Sequence, residues 1–138
     1  MNTVILSEIN DETMAEMGRI IRNGGLVSFP TETVYGLGAN ACDDAAVKRI
    51  YAAKGRPSDN PLIVHIADAA DIGTVAREVP ENAKKILEKF APGPITVILK
   101  KQPYISNTVT AGLDTVAIRI PSHPIARALI RAAGVPIA

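Results

Sequence analysis

The sequence predicts an α/β fold built on a mixed sheet. Two observations carry this. Amphipathic helical segments and short β-branched runs alternate from end to end, and no repeat, low-complexity tract or linker interrupts the 138 residues. A chain of this length fits one domain and buries roughly two-thirds of its unfolded surface, enough for a real core.

The elements follow in order. Residues 12–23 place Met14, Met17, Ile20 and Ile21 at helical spacing, and Gly24-Gly25 ends that helix. Leu26-Val27-Ser28-Phe29 reads as a short strand stopped by Pro30. Residues 43–54 are helical, with Val47, Ile50 and Tyr51 on one face and Asp43-Asp44 where acids suit a helix start. Leu62–Ile66 is a strand, and residues 81–90 form a helix with Ala83, Ile86, Leu87 and Phe90 on its apolar side. Pro92-Gly93-Pro94 breaks that helix before a strand at Ile95–Leu99. Residues 103–114 read as a loop and Val116–Ile120 as a strand. Ser122 is placed to cap a helix from Pro124 to Ala133, closed by Gly134. Val135–Ala138 reads as the start of a further strand, so residues 1–138 are expected to be a single domain that is incomplete at its C-terminal end.

Composition narrows the function. Lys plus Arg number 15 and Asp plus Glu 14, a balance that gives no support for broad binding to nucleic acid or to an anionic membrane. Aromatic residues are 4% with no Trp, which leaves little for base stacking. Cys42 is the sole cysteine, so an internal disulfide and a Cys/His zinc site are both excluded. Cys42 itself reads as a small buried hydrophobe and the Lys84-Lys85 and Lys100-Lys101 pairs as solvated faces. A reducing cytoplasm is the expected location. No apolar run approaches the ~20 residues of a bilayer span, and Glu8 and Asp11 disqualify the first residues as a signal peptide.

Three clusters are polar or restricted where a core element would be apolar. In Pro30-Thr31-Glu32-Thr33-Val34-Tyr35-Gly36-Leu37-Gly38, three hydroxyls follow a strand end and two glycines permit close approach of a ligand; a plain turn between two strands explains the same residues. In Lys54-Gly55-Arg56-Pro57-Ser58-Asp59-Asn60-Pro61, two prolines stiffen a loop presenting a point charge, a bidentate fork and an amide, as a triphosphate requires. Cations also suit a helix C-terminus for electrostatic reasons alone. In Thr115–Ile120, Arg119 interrupts an apolar strand; it needs an anion, an acidic partner or a solvated face. Alternation puts Thr115, Ala117 and Arg119 on one face and Val116, Ile118 and Ile120 on the other. His65 poses the same question within Leu62–Ile66, where a satisfied structural histidine is the commoner case.

Taken in sequence, Gly24-Gly25, Phe29-Pro-Thr-Glu-Thr-Val-Tyr-Gly-Leu, Lys54-Gly-Arg-Pro with Asn60-Pro-Leu, Pro92-Gly-Pro-Ile-Thr and Arg119-Ile-Pro with His123-Pro resemble the threonylcarbamoyl-AMP synthase family, the YrdC-like domain, from about Gly24 to the last residue. The resemblance implies a twisted mixed sheet with flanking helices around a concave basic cavity. It implies condensation of L-threonine, bicarbonate and ATP into threonylcarbamoyl-adenylate with release of pyrophosphate, magnesium accompanying ATP. The product then serves a separate complex that modifies tRNA. Carried over residue by residue, it implies that Lys54, Arg56, Asn60 and Thr115 bind ATP, with Lys54 and Arg56 stabilising charge during catalysis. Thr31, Thr33, Tyr35, His65 and Arg119 then bind L-threonine, Arg119 at its carboxylate. The family continues with a nucleotide-binding Ser-x-Asn segment beyond Ala138. Two other readings stay open on the residues: an RNA-binding module of the same fold, and a carbamoyl-adenylate domain of the hydrogenase-maturation type.

Overall fold

The computed structural model describes residues 2–31 and 33–138, so Glu32 of the first cluster lies outside the described residues. Among the described residues, four helices and four of the five strands follow the predicted order; β2 is a strand the sequence reading did not place. Helix α1 is Asp11–Arg22, β1 Val27–Pro30, β2 Tyr35–Gly38, α2 Asp44–Lys54, β3 Ile63–His65, α3 Glu81–Phe90, β4 Thr96–Lys100, β5 Thr115–Arg119 and α4 Pro124–Ala133. A 3-10 segment at Ala69–Thr74, absent from the sequence reading, joins β3 to α3.

Local chemistry sets the boundaries. Asn10 and Thr13 cap α1 reciprocally: Asn10 Oδ1 accepts from the Thr13 N–H at 2.9 Å, and Thr13 Oγ1 from the Asn10 N–H at 3.0 Å. Asp43 caps α2 through the Ala46 N–H at 3.1 Å, and Gly55, at φ 62°, ends it in the left-handed conformation that glycine adopts without penalty. The α4 cap differs from expectation. His123, not Ser122, occupies it, with Nδ1 accepting from the Ile125 N–H at 3.1 Å. Pro30 belongs to β1 rather than stopping it, since it lies opposite Tyr35 at the turn end of the hairpin's ladder.

The strands form a β1-β2 hairpin and a β3-β5-β4 sheet, parallel between β3 and β5 and antiparallel between β5 and β4. The C-terminal residues join the two. Ala138 and Ala39 exchange hydrogen bonds of 2.9 and 3.1 Å, and Ile137 and His65 exchange bonds of 2.7 and 3.1 Å. The strand expected at Val135–Ala138 is thus a short bridging segment, with Ile137 opposite both Asn40 and His65.

Two cores hold this arrangement. On one side of the sheet, Val64, Ile66, Val97, Leu99, Val116 and Ile118 pack under α2 and α3. In a second cluster, Met14, Met17 and Ile21 of α1 meet Leu129, Ile130 and Ala133 of α4 around Phe29 of the hairpin and Ile137. The helices approach so closely that a Cβ on Gly18 would lie 2.6 Å from the Ala132 carbonyl carbon. Ile86 and Phe90, placed on the apolar side of α3 by spacing, are exposed; only Ala83 and Leu87 reach its core.

Candidate active site

The face of β3-β5-β4 turned away from α2 and α3 carries the predicted polar residues. Val116 and Ile118 are buried, while Thr115, Ala117 and Arg119 are half-exposed, as the alternation predicts. Register then does what the sequence could not. Arg119 lies opposite His65 on β3 and opposite Thr96 on β4, so one row crosses all three strands. Arg119 Nε donates to Thr96 Oγ1 at 3.0 Å. None of the ion pairs among the described residues includes Arg119, so no acidic partner for it is found among them.

The remaining predicted residues gather at one end of this face. β2 and β3 run in the same direction, each antiparallel to the bridging segment at Ile137. The turn end of the hairpin, the loop entering β3 and the first residue of β5 therefore share the end where β3 begins. Thr31, Thr33 and Tyr35 lie at that end, with Tyr35 73% exposed and the Thr31 hydroxyl donating to the Val34 carbonyl. Asn60 enters β3 from the loop, and Thr115 opens β5 opposite Lys100.

Lys54 ends α2, exposed and outside every ion pair among the described residues. Arg56 is half-buried, its guanidinium carbon 5.9 Å from the centre of the Tyr51 ring. Tyr51 fastens the loop: its hydroxyl donates to the Asn60 carbonyl at 2.6 Å, and burial pushes its pKa up, offset in part by Arg56. A buried aromatic ring thus anchors a loop whose own side chains stay in solvent.

Several expectations need correction. Gly36 and Gly38 do not hold space for a ligand. A Cβ on Gly38 would lie 2.7 Å from Ile137 Cγ2 and 2.9 Å from Phe29 Cε1, and one on Gly36 would touch the Phe29 ring at 3.6 Å. Cys42 is exposed rather than buried, though partial enclosure pushes its thiol pKa up. Lys101 is buried at 8% exposure, donating to the Ile105 carbonyl at 2.9 Å and to Asn107 Oδ1 at 2.5 Å, so it organises the following loop. Two open grooves, of about 580 and 420 Å³, run along α2 past Lys48 and Ser58; Arg56 lines the second, and neither includes Lys54, His65 or Arg119. Arg119, Thr115 and His65 lie on the sheet, with Thr31, Thr33, Tyr35 and Asn60 towards the end where β3 begins, and Lys54 and Arg56 at the C-terminal end of α2.

A family model described as "Telomere recombination", for the Sua5, YciO and YrdC proteins, matches residues 19–138. The chain belongs to that family. It is 56% identical over 130 residues to the threonylcarbamoyl-AMP synthase of Bacillus subtilis, covering 94% of this chain and 38% of that protein. The crystal structure of Pyrococcus abyssi Sua5 complexed with L-threonine superposes with a TM-score of 0.92 at 50% identity, covering 99% of this chain and 41% of that one. Escherichia coli YciO superposes at 0.81 with 27% identity, over 94% of this chain and 63% of that one. The chain thus spans less than half the length of the B. subtilis relative and of P. abyssi Sua5.

Proposed function

We propose that this chain carries threonylcarbamoyl-AMP synthase chemistry: L-threonine, bicarbonate and ATP give threonylcarbamoyl-adenylate, pyrophosphate and water, the adenylate then serving tRNA modification. One observation carries the reading. A guanidinium without a carboxylate partner among the described residues stands on an open strand face beside His65, in a chain similar over nearly all its length to a synthase and to a threonine-bound relative. An uncompensated arginine there is a standing demand for an anion.

The roles are those the family resemblance implies, and the placement of these residues supports them. Arg119 takes the carboxylate of L-threonine, with His65 beside it and Thr31, Thr33 and Tyr35 at the rim towards its side chain. Lys54 and Arg56 take the triphosphate, with Asn60 and Thr115 at the nucleotide. The threonine amine attacks the bicarbonate carbon and water leaves, giving a carbamate. A carbamate oxygen attacks the α-phosphorus of ATP and the bond to pyrophosphate breaks. The protein aligns the reactants and stabilises charge accumulating on the phosphates. Magnesium would enter with the ATP substrate. The ATP-side residues are two cations, an amide and a hydroxyl, so they supply no carboxylate ligand for it.

The test is pyrophosphate release from ATP, magnesium and bicarbonate, with and without L-threonine. Threonine-dependent release supports the reading; release independent of threonine overturns it in favour of another adenylation.

A further inference from the structure

The Pro92-Gly93-Pro94-Ile95-Thr96 segment has no role in the chemistry above, yet its last residue contacts the arginine on which that chemistry depends. We propose that Thr96 is a positioning residue that holds the Arg119 guanidinium in the orientation that receives the L-threonine carboxylate. The proposal rests on the assignment of that carboxylate to Arg119.

The turn before β4 sets up the contact. The Gly93 N–H donates to the Ile120 carbonyl at 2.9 Å, tying the turn to the residue that follows Arg119. A Cβ at Gly93 would stand 2.9 Å from the Phe90 carbonyl oxygen, so the chain passes there only without a side chain. From this anchor the antiparallel ladder runs with Thr96 opposite Arg119, and a slip of one residue would turn Thr96 to the buried face. The turn is therefore a register device, and what it registers is a hydroxyl against a guanidinium.

The chemistry of the contact gives it a purpose. Arginine presents five N–H donors in a planar fork. The bond to Thr96 engages Nε, leaving the edge made by the two terminal nitrogens for a planar bidentate acceptor. A long side chain pinned near its guanidinium also loses less conformational freedom when a ligand binds. Of the residues opposite Arg119, Thr96 is the one whose hydroxyl reaches it. A plain strand residue would serve the fold equally with a methyl in that place.

Thr96→Val keeps the β-branched shape and removes the acceptor; Thr96→Ser restores the hydroxyl. Two readouts separate positioning from fold. By calorimetry, Thr96→Val is expected to weaken L-threonine binding roughly tenfold with ATP affinity unchanged, and Thr96→Ser to recover most of the loss. By NMR, without any ligand, the Arg119 Nε–H is expected to exchange faster with solvent in Thr96→Val than in the parent. If that exchange rate does not change, or if threonine affinity holds in Thr96→Val while Arg119→Ala loses it, the positioning role is overturned and the site assignment stands. If Arg119→Ala itself leaves threonine affinity intact, the assignment of the carboxylate falls and the proposal falls with it.

Discussion

His65 and Arg119 lie directly opposite one another on parallel neighbouring strands, although 53 positions separate them in the chain. Two polar residues that each interrupt an apolar run become one polar row. Strand alternation gives them a common face, and register gives them a common level.

The first prediction concerns that row. Arg119→Ala is expected to weaken L-threonine binding by about two orders of magnitude, the scale of a lost charge-assisted bidentate contact. Binding of ATP is expected to change little, because the nucleotide residues sit at the end of the face where β3 begins. Equal loss of both ligands in calorimetry would mean damaged structure instead.

Lys54→Ala is expected to lower ATP affinity on the order of tenfold while leaving the melting temperature within about a degree, since Lys54 is exposed and makes no ion pair among the described residues. Nucleotide titration and a thermal melt check the two halves. Unchanged ATP affinity would remove Lys54 from the phosphate site.

Gly38→Ala is expected to destabilise the fold by about 1–3 kcal/mol, because its methyl would collide with Ile137 and Phe29 where the hairpin meets the bridging segment. Ile137→Ala should cost about 2–5 kcal/mol, since the side chain is 1% exposed between α1, α4 and Phe29. Denaturant unfolding measures both. A neutral Gly38→Ala would show that the hairpin and Ile137 move apart easily.

Asp44 predicts a pH dependence. Hydrogen bonds from Ser106 and Thr108, with Lys48 beside it, hold its carboxyl well below the usual carboxylate range. A depressed pKa contributes stability that is fully present above the unfolded value of about 4 and is lost as pH falls below it. The stability difference between the parent and Asp44→Asn should therefore be flat from about pH 7 to 5 and shrink below about pH 4. Urea unfolding across that range measures it; a difference that grows on acidification would reverse the sign.

Much of the fold was legible because local rules dominate it. Met14, Met17 and Ile21 repeat at helical spacing, and Gly24 and Gly55 end helices at positive φ, where glycine alone is at ease. The Lys54–Pro61 loop and the odd polarity of Arg119 could likewise be read one segment at a time. What misled was burial. Lys101 and Cys42 exchanged their expected environments because a side chain's surroundings come from distant segments: Asn107 and Ile105 fold back over Lys101, while Cys42 is only partly enclosed.

By itself, then, the sequence determined the four helices, most of the strands and which residue types were available for anion binding. Only the tertiary structure decided that His65, Arg119 and Thr96 stand in one row, that Gly38 makes room for Ile137, and that residues 136–138 join hairpin to sheet. Periodicity and capping are short-range and written in neighbouring residues. Register between strands far apart in the chain is settled by turns, ladder hydrogen bonds and side-chain packing acting together, and no single segment contains it.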